Sequence, residues 1–383
     1  MQKIFYWCPF ISNVATVKAV INSCVGLNKY GNLLKPYIIN CFGEFDEYND
    51  EIKKNKIIMI NLNNNKFIKK FPSQGFLFSR IKYIIIFFIS FFALSKLIKK
   101  EKPAFFIAHL VTSLPILLFK FNRYNTKLIL RISGLPKLNF IRYYFWKICS
   151  NRISAITSPT EGTKKDLKDS NLFSNNKIFV LEDPILNMSD IFKNRRLVVD
   201  EPFLVNEKYI LAIGRLTEQK NFRLLINYFN KIKNIDKKIK LVILGTGEQR
   251  EYLINLIKKF GLNDRVYLLG HKDNVYKYLY RCTIFILTSK WEDPGFVLIE
   301  AAANRALILS SNCPNGPKEF LDDDKCGYLY KNNNIDDLIY KYNILINDNA
   351  NIKKKKIFLA LKKAKKFTVL SHTTKMTNIL EAI

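Results

Sequence analysis

Two carboxylates eight positions apart, Glu292 and Glu300, and two cations upstream of them, Arg215 and Lys220, are the residues of this chain best placed to do chemistry. The carboxylates fall within Thr283 to Glu319, TIFILTSKWEDPGFVLIEAAANRALILSSNCPNGPKE. That stretch predicts a strand, a Pro-Gly loop, a short helix and a second strand. The apolar runs are short and aliphatic or β-branched, as in strands buried on both faces. Glu292 stands in the loop and Glu300 inside the helix. In an open α/β sheet, ligands bind beyond the carboxyl ends of the strands, where loops pass into helix N-termini. Gly295 permits close backbone approach, and the amides of Gly295, Phe296 and Val297 face an anion as the helix begins. Glu300 is placed to accept hydrogen bonds from paired hydroxyls such as those of a ribose, and Glu292 from the hydroxyls of an attached sugar. Phosphate, ribose and hexose in that order describe a nucleotide-sugar. With 32 acidic residues in 383, pairs at this spacing also arise by chance. The strand, loop and helix around this pair set it apart.

The cations belong to KYILAIGRLTEQKNFRLLINYF, which predicts strand, turn and amphipathic helix. Arg215 falls just past the strand and Lys220 at the helix start, where a planar fork and a point charge together clamp a pyrophosphate. Isolated cations mean little among 62 Lys+Arg, so the placement carries the reading. The next unit, KLVILGTGEQREYLINLI, holds Gly245-Thr246-Gly247, but Arg250 stands where a dinucleotide fingerprint needs its third glycine.

The Glu292 to Glu300 stretch resembles the Glu-x7-Glu signature of retaining glycosyltransferases of the GT-B fold, family 4 (glycosyl transferases group 1) in particular. Gly214-Arg215-x4-Lys220-Asn221 resembles a second pattern of that family. The likeness is specific over Tyr209 to Tyr330 and looser before it. It implies an α/β fold of two Rossmann-like domains facing across a cleft, with a C-terminal helix crossing back to the first. The boundaries it implies are 1–190 for an acceptor-binding domain, 191–206 for a linker, 207–366 for a nucleotide-sugar domain and 367–383 for the returning helix. Arg215, Lys220 and the amides of Gly295, Phe296 and Val297 would neutralise a departing diphosphate. Glu292 would hold the transferred sugar and Glu300 the ribose. The turn Gly270-His271-Lys272 would meet the nucleobase, with Gly214 also on the donor. The resemblance implies no metal and no cofactor, a UDP-sugar donor and a glycan or polyprenyl-linked glycan acceptor, as in cell-surface polysaccharide synthesis. The alternatives are a GT-B epimerase, which needs no acceptor, and a basic membrane- or nucleic-acid-associated protein without catalysis.

On the acceptor side, Lys3 to Trp7 predicts a strand and Asn13 to Cys24 the helix after it. Family members often carry Gly-Gly in that turn; here Asn13 and Val14 stand near it, and Asn tolerates left-handed backbone. AFFIAHLVTS predicts a strand ending at His109, and KLILRISGLPKL another ending near Ser133 and Gly134. ISAITSPTEGTKKDL resembles the last strand and helix of the first domain, with Thr160 or Thr163 at the helix start. The run Tyr83 to Leu94, bracketed by basic residues, falls short of the roughly 20 apolar residues of a membrane span. A buried helix is expected there, with a helix lying in a membrane surface as the alternative. Arg142 to Lys147 (RYYFWK) suits lipid contact or simple packing.

A length of 383 residues suits two domains, and 48% hydrophobic with 25% charged residues is globular. The formal charge is +30, with 28 Lys+Arg against 12 Asp+Glu in the first 190 residues and 34 against 20 in the rest. Such a field favours anionic partners, although a uniformly lysine-rich background produces the same number. No nucleic-acid motif accompanies it, so no nucleic acid is expected. Seven cysteines without a Cys-x-x-Cys pair argue for reduced thiols and against zinc. Asp322 to Asp324 reads as an exposed acidic turn. MQKIFYWCPF runs straight into a strand, so the chain is expected in the cytoplasm, with peripheral contact at the anionic inner face of the plasma membrane.

Overall fold

A computed structural model describes residues 1–11, 15–31, 33–63, 76–134, 138–233 and 238–383. Two compact units share the chain: Met1–Ile185 with Val369–Ile383, and Leu186–Thr368. Asn13 and Val14 lie outside the described residues.

The first unit is built on seven parallel strands: β1 (Gln2–Trp7), β2 (Leu34–Asn40), β3 (Ile58–Asn61), β4 (Phe105–Ala108), β5 (Lys127–Arg131), β6 (Ile153–Ser158) and β7 (Ile178–Val180). Their order is β3-β2-β1-β4-β5-β6-β7. The central strands are apolar without alternation because helices cover both faces. Phe5, Trp7, Phe106, Leu128 and Leu130 point into one layer, and Ile4, Tyr6, Ile107 and Ile129 into the other. Strand order reverses between β1 and β4, so the loops after these two strands flank the switch point where doubly wound sheets bind ligands.

The second unit repeats the scheme with six parallel strands: β8 (Tyr209–Ile213), β9 (Lys240–Leu244), β10 (Val266–Leu268), β11 (Ile284–Leu287), β12 (Ile308–Ser311) and β13 (Tyr328–Tyr330). The order β10-β9-β8-β11-β12-β13 puts the switch point between β8 and β11. The 222–232 helix seals one face with Leu225, Tyr228, Phe229 and Ile232 at helical spacing.

Three expectations need correcting. The expected linker, 191–206, belongs to the second unit: a helix covers Met188–Asn194 and a 3-10 turn Pro202–Leu204. Lost hydrophobic periodicity there reflects anchoring through backbone carbonyls, since Asn274 Nδ2 donates to Asn194 O and Arg281 to Arg195 O. The strand β6 is not the last of its sheet, because the three residues of β7 follow the 161–169 helix and are too few to show a period. Thr160 does cap that helix, accepting from the Thr163 amide. The apolar run is not a buried helix either. It forms part of a helix spanning Phe76–Glu101 that, among the described residues, buries Lys82, Ile86, Ser90, Leu94 and Ile98 on one face. Ile84, Phe88 and Phe92 on the opposite face remain 56%, 69% and 81% exposed.

The last helix, Val369–Ala382, packs on the Ala15–Tyr30 helix of the first unit. Gly26 marks their contact; a Cβ there would fall 2.1 Å from Thr373 Oγ1. His372 locks the joint. Its Nδ1 donates to Glu182 O at 2.6 Å, and its Nε2 accepts from Ser23 Oγ, which meets Tyr6 Oη at 2.7 Å. Burial drives the His372 pKa down to about 4, so the ring is neutral.

Candidate active site

Residues far apart in sequence meet at the β8/β11 switch point. Lys220 Nζ bonds Glu292 Oε1, and Ser289 Oγ donates to the same oxygen at 2.5 Å. Both charges are largely removed from water, their side chains 14% and 7% exposed. A pair so placed needs geometry and further hydrogen bonds to offset desolvation. The backbone supplies rigidity: Thr288 Oγ1 donates to Lys220 O at 2.8 Å and Lys290 N to Gln219 O at 2.8 Å. The Lys220 loop and the Glu292 loop are therefore one structure. Gly214 belongs to it because a Cβ there would press to 3.1 Å from the Lys220 side-chain stem.

Three turns stack behind the pair. Gly214 N donates to Leu244 O and Gly245 N to Gly270 O, tying together the carboxyl ends of β8, β9 and β10. Gly245, at φ +138°, would place a Cβ 1.9 Å from Gly214 O. The glycines first weighed as a dinucleotide fingerprint thus serve the approach of one turn to another. Gly270 differs. Its φ of +74° requires the left-handed region, but a Cβ there meets nothing.

The 296–303 helix starts from Gly295, at φ +86° in the left-handed region, an N-cap residue with no side chain to cap the first amides. Uncapped N–H groups at a helix start carry the positive end of its dipole. Glu292 lies against this start, its Cβ 3.5 Å from where a Gly295 Cβ would be. The Asp293-Pro294 peptide between them is cis. Phe296 and Val297 open the helix, and Glu300 follows on its second turn. Burial raises the Glu300 pKa to about 7, and among the described residues its carboxylate has no hydrogen-bond partner. Tyr276 is its neighbour, the phenol held above its ordinary pKa by burial and then by the Glu300 charge.

The other expected donor residues divide. Arg215 is exposed beside Gly214 and has no ion-pair partner among the described residues. His271 is also exposed, 3.3 Å from Asp273. Lys272 is committed to Glu201 at 2.6 Å and Asp200 at 3.5 Å, which together raise its pKa. Its ammonium holds the 200–201 segment. Ser289 and Tyr276 were missed in the sequence. Ser289 was legible only as one of several small polar residues after a strand, and Tyr276 offered no signal at all.

In the first unit, His109, Ser133 and Gly134 line one pocket of about 500 Å³ at the ends of β4 and β5, with Thr16, Arg142 and Trp146. His109 is neutral: burial first, then the nearby Arg131 charge, push its pKa well below the ordinary value. Among the described residues, neither ring nitrogen has a hydrogen-bond partner. Arg131 pairs with Asp183 at 2.7 Å, both buried. Val111, a β-branched residue at φ +49°, forms part of the pocket lining, an arrangement that costs backbone energy and is found where surroundings impose it. Among the described residues, no cluster of His, Cys, Asp or Glu has metal-binding geometry.

Residues 195–364 match the model of the family Glycosyl transferases group 1. Over that segment the chain is similar to the glycosyl transferases group 1 family. The matched segment holds every residue of the β8/β11 site. Over 229 residues the chain is 28% identical to N-acetylgalactosamine-N,N'-diacetylbacillosaminyl-diphospho-undecaprenol 4-alpha-N-acetylgalactosaminyltransferase of Campylobacter jejuni, covering 58% of the chain and 61% of that relative. Over 277 residues it is 31% identical to an uncharacterized glycosyltransferase of Methanocaldococcus jannaschii, covering 65% of each. The chain thus spans less than two thirds of the length of these curated relatives. Similarity of fold extends further. A glycosyltransferase from Rickettsia africae superposes with a TM-score of 0.78 at 19% identity, covering 100% of this chain and 98% of that one. HepE of Anabaena, in complex with UDP and glucose, gives 0.73 at 14% identity, covering 100% of both. The chain has the GT-B fold.

Proposed function

We propose that this protein is a retaining glycosyltransferase that moves a sugar from a UDP-sugar to a glycan or lipid-linked glycan acceptor. The observation that carries the reading is the Lys220–Glu292 pair, fixed against the Gly295 start of the 296–303 helix. Support for the donor comes from HepE, whose structure contains UDP and glucose. Support for a lipid-linked acceptor comes from the Campylobacter relative, whose name specifies a diphospho-undecaprenol-linked substrate.

Each group has a defined task in this reading. Lys220 keeps one N–H on Glu292 and turns the others to the diphosphate, since an ammonium has three donors. Arg215, the exposed cation next to it, closes on the same phosphates. The amides of Gly295, Phe296 and Val297 complete a fixed field around charge that grows as the diphosphate leaves. Preorganised electrostatics of this kind is usually the largest catalytic term. Glu292 orients the sugar and Glu300 takes the ribose hydroxyls. The two cations supply the charge a metal ion would otherwise bring, so EDTA is expected to leave turnover unchanged. The pocket lined by His109, Ser133 and Gly134 receives the acceptor.

A thermal-shift panel of nucleotide-sugars identifies the donor, because a ligand that binds only the folded state raises the melting point. Turnover of Glu292→Gln and Arg215→Ala with that donor then tests the assignment. Unchanged transfer in both variants overturns it. NMR of the product tests retention: the new bond must keep the donor's anomeric configuration.

A further inference from the structure

The first unit carries a surface that donor chemistry does not use. Along the 76–101 helix, Ile84, Phe88 and Phe92 form an outward stripe at helical spacing. The neighbouring 140–149 helix turns out Phe140, Ile141 and Ile148, which are 76%, 77% and 61% exposed. The 113–121 helix joins the two, ending in Phe121, also 76% exposed. Side-chain bonds make the three helices neighbours: Ser95 Oγ meets the Oη of Tyr124, just past the 113–121 helix, at 2.9 Å, and Lys120 Nζ donates to Ile148 O at 2.9 Å. Large apolar side chains exposed together on neighbouring helices mark an interaction site.

Charge decides the occupant. Lys96, Lys99 and Lys100 end the first helix, and Arg142 and Lys147 stand on the third. The one acidic residue on these helices, Glu101, is paired with Lys3 at 2.9 Å. A second copy of the chain docked through the same face would set lysine against lysine, which opposes association. An anionic bilayer meets both features, apolar side chains entering the acyl boundary and cations meeting headgroups. Among the described residues, Arg80–Glu101 is long and apolar enough to cross a membrane. Its inner face is already committed to the sheet through Ile86, Leu94 and Ile98, so it lies flat. We propose that the outward faces of the 76–101, 113–121 and 140–149 helices dock this protein onto a bilayer rich in anionic lipid, as an in-plane attachment without a span.

The test is vesicle flotation of the full chain, using phosphatidylcholine alone and with phosphatidylglycerol. The chain is expected to float with anionic vesicles and much less with neutral ones, and raising salt should weaken flotation several-fold. Phe88→Ser/Phe92→Ser should lower partitioning at least about tenfold, since each buried Phe is worth about that much. Both side chains are exposed, so its melting temperature should match the unsubstituted protein's. Lys96→Gln/Lys99→Gln/Lys100→Gln should remove most of the preference for anionic lipid. Equal flotation of the Phe variant overturns the proposal. So does absence of flotation, including the case where sedimentation shows a dimer that Phe88→Ser/Phe92→Ser dissociates. The nucleotide-sugar thermal shift reads the second unit alone, so failure here and failure of the transfer reading are separable.

Discussion

The two sheets share a winding scheme, and each places two loops at its switch point, yet they fill that place differently. At β8/β11 the loops carry charge and glycine: Lys220 on Glu292, and Gly214, Gly245 and Gly295 where a side chain would collide or strain. At β1/β4 the neighbouring charge is turned inward, with Arg131 neutralised by Asp183, and the pocket presents a neutral histidine, Trp146 and a strained valine. A diphosphate has the same charge and shape in any donor, so the residues that receive it are confined to a few types. A surface that reads shape and apolar area admits many. The contrast predicts that the same kind of substitution breaks chemistry in one unit and folding in the other.

The two buried ion pairs give the largest effects. Asp183→Ala leaves Arg131 buried without its counter-charge, an arrangement that costs about 3–5 kcal/mol. It should appear as a large drop in melting temperature, with the remaining folded protein still binding nucleotide-sugar. Lys220→Met also leaves a buried partner, Glu292, but should in addition lower turnover about 10²- to 10³-fold, the loss typical for one preorganised donor. If Lys220→Met lost stability and no turnover, the Lys220–Glu292 pair would be structural like its counterpart.

Next in size is the acid response of the first unit. His372 has an ordinary pKa of 6.5 and is held near 4 by burial. Between those values the unfolded chain takes a proton that the folded chain refuses, so stability falls as pH drops through that window. The span corresponds to a loss on the order of 3 kcal/mol. His372→Gln should flatten the slope between pH 6.5 and 4, read by urea melts at each pH. An unchanged slope would move the effect to other groups, His109 first.

The glycines sharpen the comparison at a smaller scale. Gly245→Ala forces a Cβ into the Gly214 carbonyl and should cost at least about 2 kcal/mol along with the nucleotide-sugar thermal shift. Gly270→Ala meets open space and suffers only the left-handed backbone, about 1 kcal/mol. Equal costs would show that the stacked turns are not what positions Lys220.

These differences also explain what was legible in the sequence. Short apolar runs announced β1, β4, β8 and β11 because strands buried on both faces tolerate little else. The Glu292 to Glu300 interval and the Gly214 to Lys220 pattern were readable because each combines residue type with spacing, and the structure brings Lys220 onto Glu292. Ser289 escaped notice since any small hydroxyl at a strand end looks alike until its carboxylate partner is in place. The ion pair of Lys272 was hidden for the opposite reason: its partner Glu201 lies 71 positions earlier, with no local pattern linking the two. The helix around Tyr83 to Leu94 was apolar on every side, so no period revealed which face would meet the sheet and which would be left outward.

The last effect separates the units by sign. Glu300 has an ordinary pKa of 4.5 and is raised to about 7 by burial. Within that window the folded chain holds a proton the unfolded chain has released, so the carboxyl makes the second unit less stable as pH rises. Donor affinity should move the other way. Two ribose hydroxyls both donate, which favours the ionised carboxylate, so KM for the nucleotide-sugar should fall as pH rises through about 7. One pH unit below that point the penalty is about tenfold. In Glu300→Gln, KM should be higher at pH 8 and nearly flat with pH, while kcat changes less. Stability and affinity with opposite slopes, both abolished by one substitution, would tie the ribose to this carboxylate. A Glu300→Gln enzyme that kept the original KM profile would remove Glu300 from the donor site and leave the Lys220–Glu292 pair to stand without it.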